Sequence, residues 1–444
     1  MPSNLQPASS STTSRTRAAV PQSRWTALLP SPRCMVLVAF AVRVLWIALA
    51  HTYRLRTNEN NIGFGWEIGR IAYSLATGHG FSSPFGGDTG PSAWTAPVYP
   101  WMVAFVFRAF CVYSRAAAFW MLALNSLFAA LTSWTIYRTA KQIFSERVAI
   151  WSGWIWALLP YTIFWSVKYI WETSLSAFLL SLLFMLTVEL EGDDRLSSWF
   201  GYGLLWGVMA LTNPAALAFL PFAGSWLAYQ LHHRGKRFLL PAATGAIVFW
   251  MTIMPWLVRN DRMMGKPVFI RDNFGVEFRI GNNPLAEGIN VAALHPIQNE
   301  LQYENYRRLG EAAFAAEQAR LAKAWVQQHP ARFLVLSSRR FIFFWAGLPK
   351  ASNIEGLQEL KNSLYLATSL LAIGGLCLAW KQRVHGVFLF ATLLIAYPLA
   401  YYITFAQPRY RHPIEPQLLI LAVYLITQAK PLTQSADHSA TDGK

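Results

Sequence analysis

The sequence predicts an all-α polytopic membrane protein of about ten transmembrane helices. Of its 444 residues, 54% are hydrophobic and 14% charged, where soluble chains carry about a quarter charged. Apolar runs of about 17–22 residues recur along the whole length, each enough to cross roughly 30 Å of hydrocarbon as helix. Aromatics reach 15%, with 20 Trp and 29 Phe, a composition suited to the bilayer–water boundary. Disorder, collagen and disulfide scaffolds are excluded. Cys34, Cys111 and Cys377 lie in or beside apolar segments and read as small core residues without a metal or disulfide pattern. The net charge of +16 would suggest nucleic acid on a soluble chain, but many of these basic residues end apolar runs. No zinc-finger spacing, basic helix or RNA-binding signature is present, so no nucleic-acid partner is expected.

Residues 1–33 are Ser/Thr/Pro-rich, with Arg15, Arg17, Arg24 and Arg33 and no acid, and read as a disordered basic cytoplasmic tail. The first span covers about 34–51. Its Ala48-Leu49-Ala50 resembles a signal-peptidase site, but the long leader and Arg43 favour an uncleaved helix. Residues 97–113 would, as a span, turn Arg138, Lys141, Arg147 and every later basic loop outward, so they read as an interfacial half-helix. Spans near 115–137, 148–167, 173–190, 199–213, 215–231 and 238–257 follow, which puts 138–147 and the basic run 232–237 inside. Segment 258–360 then lies outside. Its apolar piece 333–348 holds Arg339 and Arg340 and reads as a second interfacial helix. Spans near 361–380, 386–404 and 414–429 lead to a cytoplasmic tail, 430–444. The domain plan is thus a core of 34–257 with a first outer loop at 52–114, the outer segment 258–360, and C-terminal helices over 361–429. Both termini are expected in the cytoplasm.

Polar residues gather on the outer face. In the first outer loop, 66–77 has helical periodicity and stops at Gly78 and Gly80, with Glu67 and Arg70 three apart on one face. Glu67 there is either half of an ion pair or a catalytic base. Glu172 follows Lys168 and Trp171 at the start of a span, where an acid is favoured by the helix dipole or marks a functional site. Arg259, in Pro255-Trp-x-x-Arg-Asn260, either snorkels or binds. The turn 408–416 packs Arg409, Tyr410, Arg411 and His412 between prolines, and arginine forks match a lipid phosphate. Arg262, Lys266, Arg271 and Arg279 are weaker candidates, while His295 and His329 read as ordinary polar residues rather than metal ligands.

A basic tail, one span, and an outer helix ending Ile71-Ala72-x-x-Leu75-Ala76-x-Gly78-x-Gly80-Phe81 come first. A Pro97-Val-Tyr-Pro100 half-helix, an acid after the third span, Pro-Trp-x-x-Arg-Asn and a late Arg409-Tyr-Arg-His-Pro413 follow. This order resembles the GT-C superfamily of membrane glycosyltransferases. Its nearest branch is the family 39 type, relatives of protein O-mannosyltransferases and of lipid A aminoarabinose transferase. The resemblance covers about residues 34–429 and implies a GT-C-type bundle with outer interfacial half-helices in a bacterial-type inner membrane. It also implies transfer of a sugar from a polyprenyl-phosphate donor to a protein, lipid or glycan acceptor on the extracytoplasmic face, with inversion if displacement is direct. Relatives start the first outer helix with an Asp thought to act as base or to bind metal. Aligned on Ile71-Ala72 and Gly78, this chain has Phe64 there, and Glu67 one turn later.

The resemblance assigns Glu67 as base, with Glu172 or Asp88 as alternatives, and otherwise Glu172 as stabiliser of positive charge on the sugar ring. Arg259, Arg409 and Arg411 would meet the leaving phosphate, with Arg70, Lys168, Tyr410 and His412 as further contacts to phosphate and sugar. Phosphate departs well, so no cofactor is firmly implied and a divalent cation is optional. Membrane lipid is the remaining partner. The rival readings are a transporter or flippase of lipid-linked sugars, for which Arg43 and Asn125 are the polar residues within spans, another outer-face polymerase or ligase of polysaccharide, and a non-catalytic lipid-binding relative.

Overall fold

The computed structural model describes residues 31–55, 62–348 and 355–428, and among these it is helical with no strand beyond one isolated bridge, Ser82 to Pro91. The expected tails 1–33 and 430–444 lie almost wholly outside the described residues. The helices run α1 (Pro32–Leu49), α2 (Glu67–Ala76), α3 (Val98–Phe110), α4 (Arg115–Ile143), α5 (Glu146–Leu158), α6 (Pro160–Lys168), α7 (Thr173–Glu189), α8 (Leu196–Ala210), α9 (Leu220–His233) and α10 (Leu239–Met264). The outer segment holds α11 (Phe274–Gly281), α12 (Glu300–Leu309), α13 (Glu311–Gln328) and α14 (Pro330–Ala346). The chain closes with α15 (Glu355–Lys381), α16 (Val387–Ala396), α17 (Leu399–Ile403), α18 (Pro408–Arg411) and α19 (Glu415–Gln428).

Every segment expected to span is helical. Among the described residues, five helices are long and apolar enough to cross a membrane unaided: α1, α4, α7 with the turn that follows it, α10, and α15 from Lys361 onward. A sixth candidate is the pair α5 and α6, bent by 47°. The other expected spans are shorter or broken: α8 has 15 residues, α9 has 14 after a 3-10 turn, α16 and α17 part at Pro398, and α19 has 14. The protein is thus a multi-pass membrane protein in which several spans are built from pieces. α3 has only 13 residues, about 20 Å of helix, too short to cross the hydrocarbon. The cysteines do not all sit in the core as the sequence suggested: Cys111 and Cys377 are exposed, because one ends the half-helix and the other lies on an outward face of α15.

The bend between α5 and α6 explains the arginine inside the first span. Pro160 has no N–H, so the carbonyl of Trp156 loses its helical donor. Arg43, fully buried, donates from Nη2 to Trp156 O (3.2 Å) and from Nη1 to Ala157 O (2.8 Å) and Ala39 O (3.0 Å). The Thr162 hydroxyl also donates to Trp156 O at 2.8 Å. Backbone freed at a break inside a bilayer must find partners within the protein, and here a guanidinium supplies them. Asn125, the other polar residue noted inside a span, accepts from Tyr99 Oη (2.8 Å) and donates to Tyr169 O (3.2 Å), tying the half-helix to the turn after α6.

The outer segment is fastened to the first outer loop through residues 92–94. Glu311 at the start of α13 is buried and accepts from Ser92 Oγ (2.6 Å), Ala93 N (2.6 Å) and Tyr306 Oη (2.8 Å). The Asp272 N–H donates to Ala93 O (3.0 Å), and Arg259 donates to Ser92 O (2.6 Å) and Phe81 O (2.7 Å). Arg340 donates to the carbonyls of Tyr402 (3.2 Å), Ile403 (3.0 Å) and Gly281, so α14, α11 and the end of α17 are held at one point. The last helix, α19, is buried along Glu415 to Tyr424 and packs against α15, α5, α4 and α7.

Two predictions follow from these anchors. Arg43→Leu strands the carbonyl of Ala157 and leaves that of Trp156 with the Thr162 hydroxyl alone, and it should lower stability in lipid or mild detergent by about 2 kcal/mol, read as an earlier thermal unfolding midpoint. Burial pushes the Glu311 carboxyl up to about 7, against the pull of Ser92, Ala93 and Tyr306. An unfolded Glu ionises near 4.5, so between that pH and 7 the folded form holds the extra proton. Stability should therefore fall as pH rises through this window, by roughly 3 kcal/mol at most, and level off above it. Proteolysis of the outer segment measured from pH 4.5 to 8 should show that slope in the wild type and lose it in Glu311→Gln.

Candidate active site

The site begins where the first outer loop meets the turn after α6. Phe64, three residues before Glu67, is buried against Phe107 and Tyr113. Gly65 (φ +80°) and Trp66 (φ +49°) then turn the chain into α2, so Glu67 stands in its first turn. A Cβ on Gly65 would lie 2.5 Å from Ile170 O and 2.7 Å from Trp171 Cδ1, so only glycine fits this seam. The Ile170 N–H donates to Gly63 O (3.0 Å) across it. Two segments about a hundred residues apart are thereby joined, and Glu67 and Glu172 come to one cleft. Glu172 precedes α7 without bonding that helix's N–H groups through its side chain.

That cleft is lined by Glu67, Glu172, Glu277, Arg271 and Arg409, with Trp94, Thr95 and Tyr99 from the mouth of the half-helix. The Arg409 guanidinium lies over Trp171 (4.5 Å) and over Tyr410 (5.2 Å). Arg271 is steadied by its Nε–H donating to Trp94 O (3.1 Å). Glu67 Oε1 meets His295 Nε2 at 3.1 Å. His295 Nδ1 accepts from the Ile297 N–H (3.2 Å), which leaves the ring proton on Nε2, directed at Glu67. Glu277 Oε1 accepts from Asn273 Nδ2 (2.9 Å). Burial raises the Glu67 carboxyl, but the hydrogen bond from His295, with Arg409 behind it, outweighs it and holds Glu67 below the ordinary range. For Glu277, burial prevails over the charges of Arg271 and Arg409, and its carboxyl is raised. Glu172 Oε2, Arg409 Nε and Thr95 Oγ1 are buried without a hydrogen-bond partner, so both signs of charge retain unused bonding capacity here.

Other residues singled out in the sequence lie elsewhere. Arg70 sits half-buried on α2, near enough to feel the charges of Glu67 and Tyr303; burial lowers its pKa and those charges oppose the fall. Lys168 is exposed at the end of α6. Arg259 is committed to the carbonyls of Ser92 and Phe81 and stacks over Trp256 (4.8 Å). Tyr410 stacks on Tyr401 (4.5 Å between centroids), behind Arg409. Arg411 turns inward, pairs with Glu415 (2.5 Å), and donates to Trp345 O, Tyr365 O and Ser369 Oγ. His412 is buried with its ring stacked on Trp156 (5.3 Å). Asp88 is exposed in the loop after Phe85, and Lys266 pairs with Asp272 (3.2 Å).

The structure adds Glu277 to the residues singled out, and it puts His295, read from the sequence as an ordinary polar residue, in contact with Glu67. Neither lies in a motif or at a helix break, and their position depends on how the outer segment folds back. Among the described residues, no group of three or more His, Cys, Asp or Glu side chains is placed to hold a metal ion. The three acids of the cleft face two guanidiniums, Arg271 and Arg409, and the His295 ring N–H.

Residues 94–258 match the model of the dolichyl-phosphate-mannose-protein mannosyltransferase family. No curated protein matches the sequence. Among solved structures, the chain resembles the archaeal oligosaccharyltransferase AglB from Archaeoglobus fulgidus, in complex with an inhibitory peptide and a dolichol-phosphate. The TM-score is 0.51 at 11% identity, over 89% of this chain and 50% of that one. The same enzyme tethered to an acceptor peptide gives 0.50 at 12%, over 89% and 49%. A weaker likeness, TM-score 0.40 at 13% identity over 90% of this chain and 77% of the other, is to ArnT from Cupriavidus metallidurans bound to undecaprenyl phosphate. The chain thus spans about half the length of the oligosaccharyltransferase whose fold it shares. This chain therefore carries a segment of the mannosyltransferase family over residues 94–258 and shares the fold of the oligosaccharyltransferase over most of its own length.

Proposed function

We propose that this protein transfers a sugar from a polyprenyl-phosphate carrier to an acceptor at the extracytoplasmic face of a bacterial-type inner membrane, with inversion at the anomeric carbon. One observation carries the reading: Glu67, Glu172 and Arg409, from three distant parts of the chain, line one cleft beside a half-helix too short to span. The oligosaccharyltransferase with this fold was captured with a dolichol-phosphate, which makes a lipid phosphate the natural group for the arginines here. Arg409, over Trp171 and with Nε still unbonded, would take the charge that grows on the departing phosphate oxygen, with Arg271 beside it. Glu172 and the ionised Glu67 lie where positive charge on the sugar ring would be stabilised. A carboxylate of the same cleft takes the acceptor's proton as the new bond forms. The acceptor is a protein, a lipid or a glycan. A transporter would keep free polar groups within its spans, whereas Arg43 and Asn125 are committed to backbone and tyrosine partners.

The test is release of free undecaprenyl phosphate from a panel of undecaprenyl-phosphate hexoses and pentoses by purified protein in liposomes. Wild type should turn over at least one donor. Glu67→Gln and Arg409→Ala should each lower kcat about 100-fold or more, because each removes a charge that acts on the reacting centre. If no donor is turned over, or if both variants keep wild-type rates, the reading fails. Orientation is tested by thiol labelling in intact cells after Cys34, Cys111 and Cys377 are replaced. A cysteine at Asp88 should react with an impermeant reagent from outside, and one at Arg147 only after permeabilisation; both positions are exposed. The opposite pattern would place the cleft on the cytoplasmic side.

A further inference from the structure

The acids of the cleft are not equivalent, and their surroundings separate their tasks. Glu67 has Oε1 occupied by the proton of His295 Nε2, and that imidazole cannot accept a proton at Nδ1 without breaking its bond from the Ile297 N–H. The pair is a fixed negative charge with a tethered donor. Glu172 stands at the start of α7 with Oε2 buried and unbonded. Glu277, on α11, enters the same cleft from the outer segment, and its carboxylate accepts one hydrogen bond, from Asn273 at Oε1.

We infer that Glu277 is the general base of the transfer reaction. The inference rests on the transferase reading above, and it moves the proton-accepting role from Glu67, where the sequence suggested it, to a residue of the outer segment. In the step, a lone pair on the acceptor's oxygen or nitrogen forms the bond to the anomeric carbon. The bond from that carbon to the phosphate oxygen breaks, and its electron pair leaves on the lipid phosphate. The acceptor's proton passes to the Glu277 carboxylate and later to water. The groups facing Glu277 are Arg271 on its own segment, Glu67 on α2, His295 from the loop before α12, and Arg409 and Tyr410 from the turn before the last helix. Burial raises the Glu277 carboxyl while His295 and Arg409 lower that of Glu67, and a base is more effective the closer its pKa lies to working pH. The arrangement also brings the base in with the outer segment, the part of the chain that would meet an acceptor arriving from outside the membrane.

The experiment uses the full-length protein in liposomes with the undecaprenyl-phosphate sugar that the wild type turns over. Wild-type kcat/KM should fall on the acid side of its pH profile with a limb that belongs to the base. Glu277→Gln should lose about 100-fold or more in kcat while undecaprenyl phosphate, titrated by thermal shift, binds within about threefold of wild type. Glu277→Asp should recover part of the rate and keep an acid limb. A smaller loss in Glu277→Gln, retention of the acid limb by that variant, or a parallel loss of undecaprenyl phosphate binding would overturn the inference and leave Glu277 a structural group. Absence of turnover by the wild type with every donor would overturn the transferase reading itself, and this inference with it.

Discussion

Irregular backbone near a bilayer has no water to bond to, so each break in a helix must be answered by a side chain. In this protein the answer is repeatedly an arginine. Arg43 closes the carbonyls freed at Pro160, and Arg259 holds Phe81 and Ser92 in the first outer loop. Arg340 gathers Gly281, Tyr402 and Ile403, and Arg411 gathers Trp345 and Tyr365. A guanidinium suits the task because its donors form a planar fork and it keeps its charge when buried. Only with these breaks secured can short helices stand beside long ones, and short helices are what leave the cleft between them.

The site is what remains when those arginines are subtracted. Arg409 stands over the Trp171 ring and Arg271 is held by a single carbonyl, so both retain donors facing Glu67, Glu172 and Glu277. The cleft wall formed by Trp94 and Thr95 is itself a hung strand of chain, positioned by Glu311, Arg259 and the Asp272 amide at residues 92 and 93. The outer segment therefore acts twice. It braces the wall, and it supplies Glu277, Arg271 and His295 to the cleft.

Most of the helical architecture was legible because bilayer-spanning helices announce themselves by apolar length. That Glu67, Glu172 and Arg409 merit attention was legible for a related reason: each stands at a helix break, where a charge has few structural uses. The same logic misplaced emphasis at Arg411 and His412. They sit in the same dense motif as Arg409, but Glu415 one helical turn on draws Arg411 into the bundle, and His412 follows it onto Trp156. Arg259 looked like a phosphate ligand because nothing local shows that its partners are carbonyls from the first outer loop. Glu277 and His295 gave no signal at all. Their segment has no spanning period to fix its position, and only its fold-back onto the first outer loop turns two unremarkable polar residues into neighbours of Glu67.

The last helix is buried along most of its length, seated among α15, α5, α4 and α7, and the turn that precedes it delivers Arg409. A chain inserted from its N-terminus must therefore keep a slot open in the bundle until this helix arrives. Until then the carboxylates Glu67, Glu172 and Glu277 face each other without Arg409. Assembly order and the electrostatics of the cleft are linked: the helices placed early gather its acids, and the balancing guanidinium comes only with the turn that leads into α19.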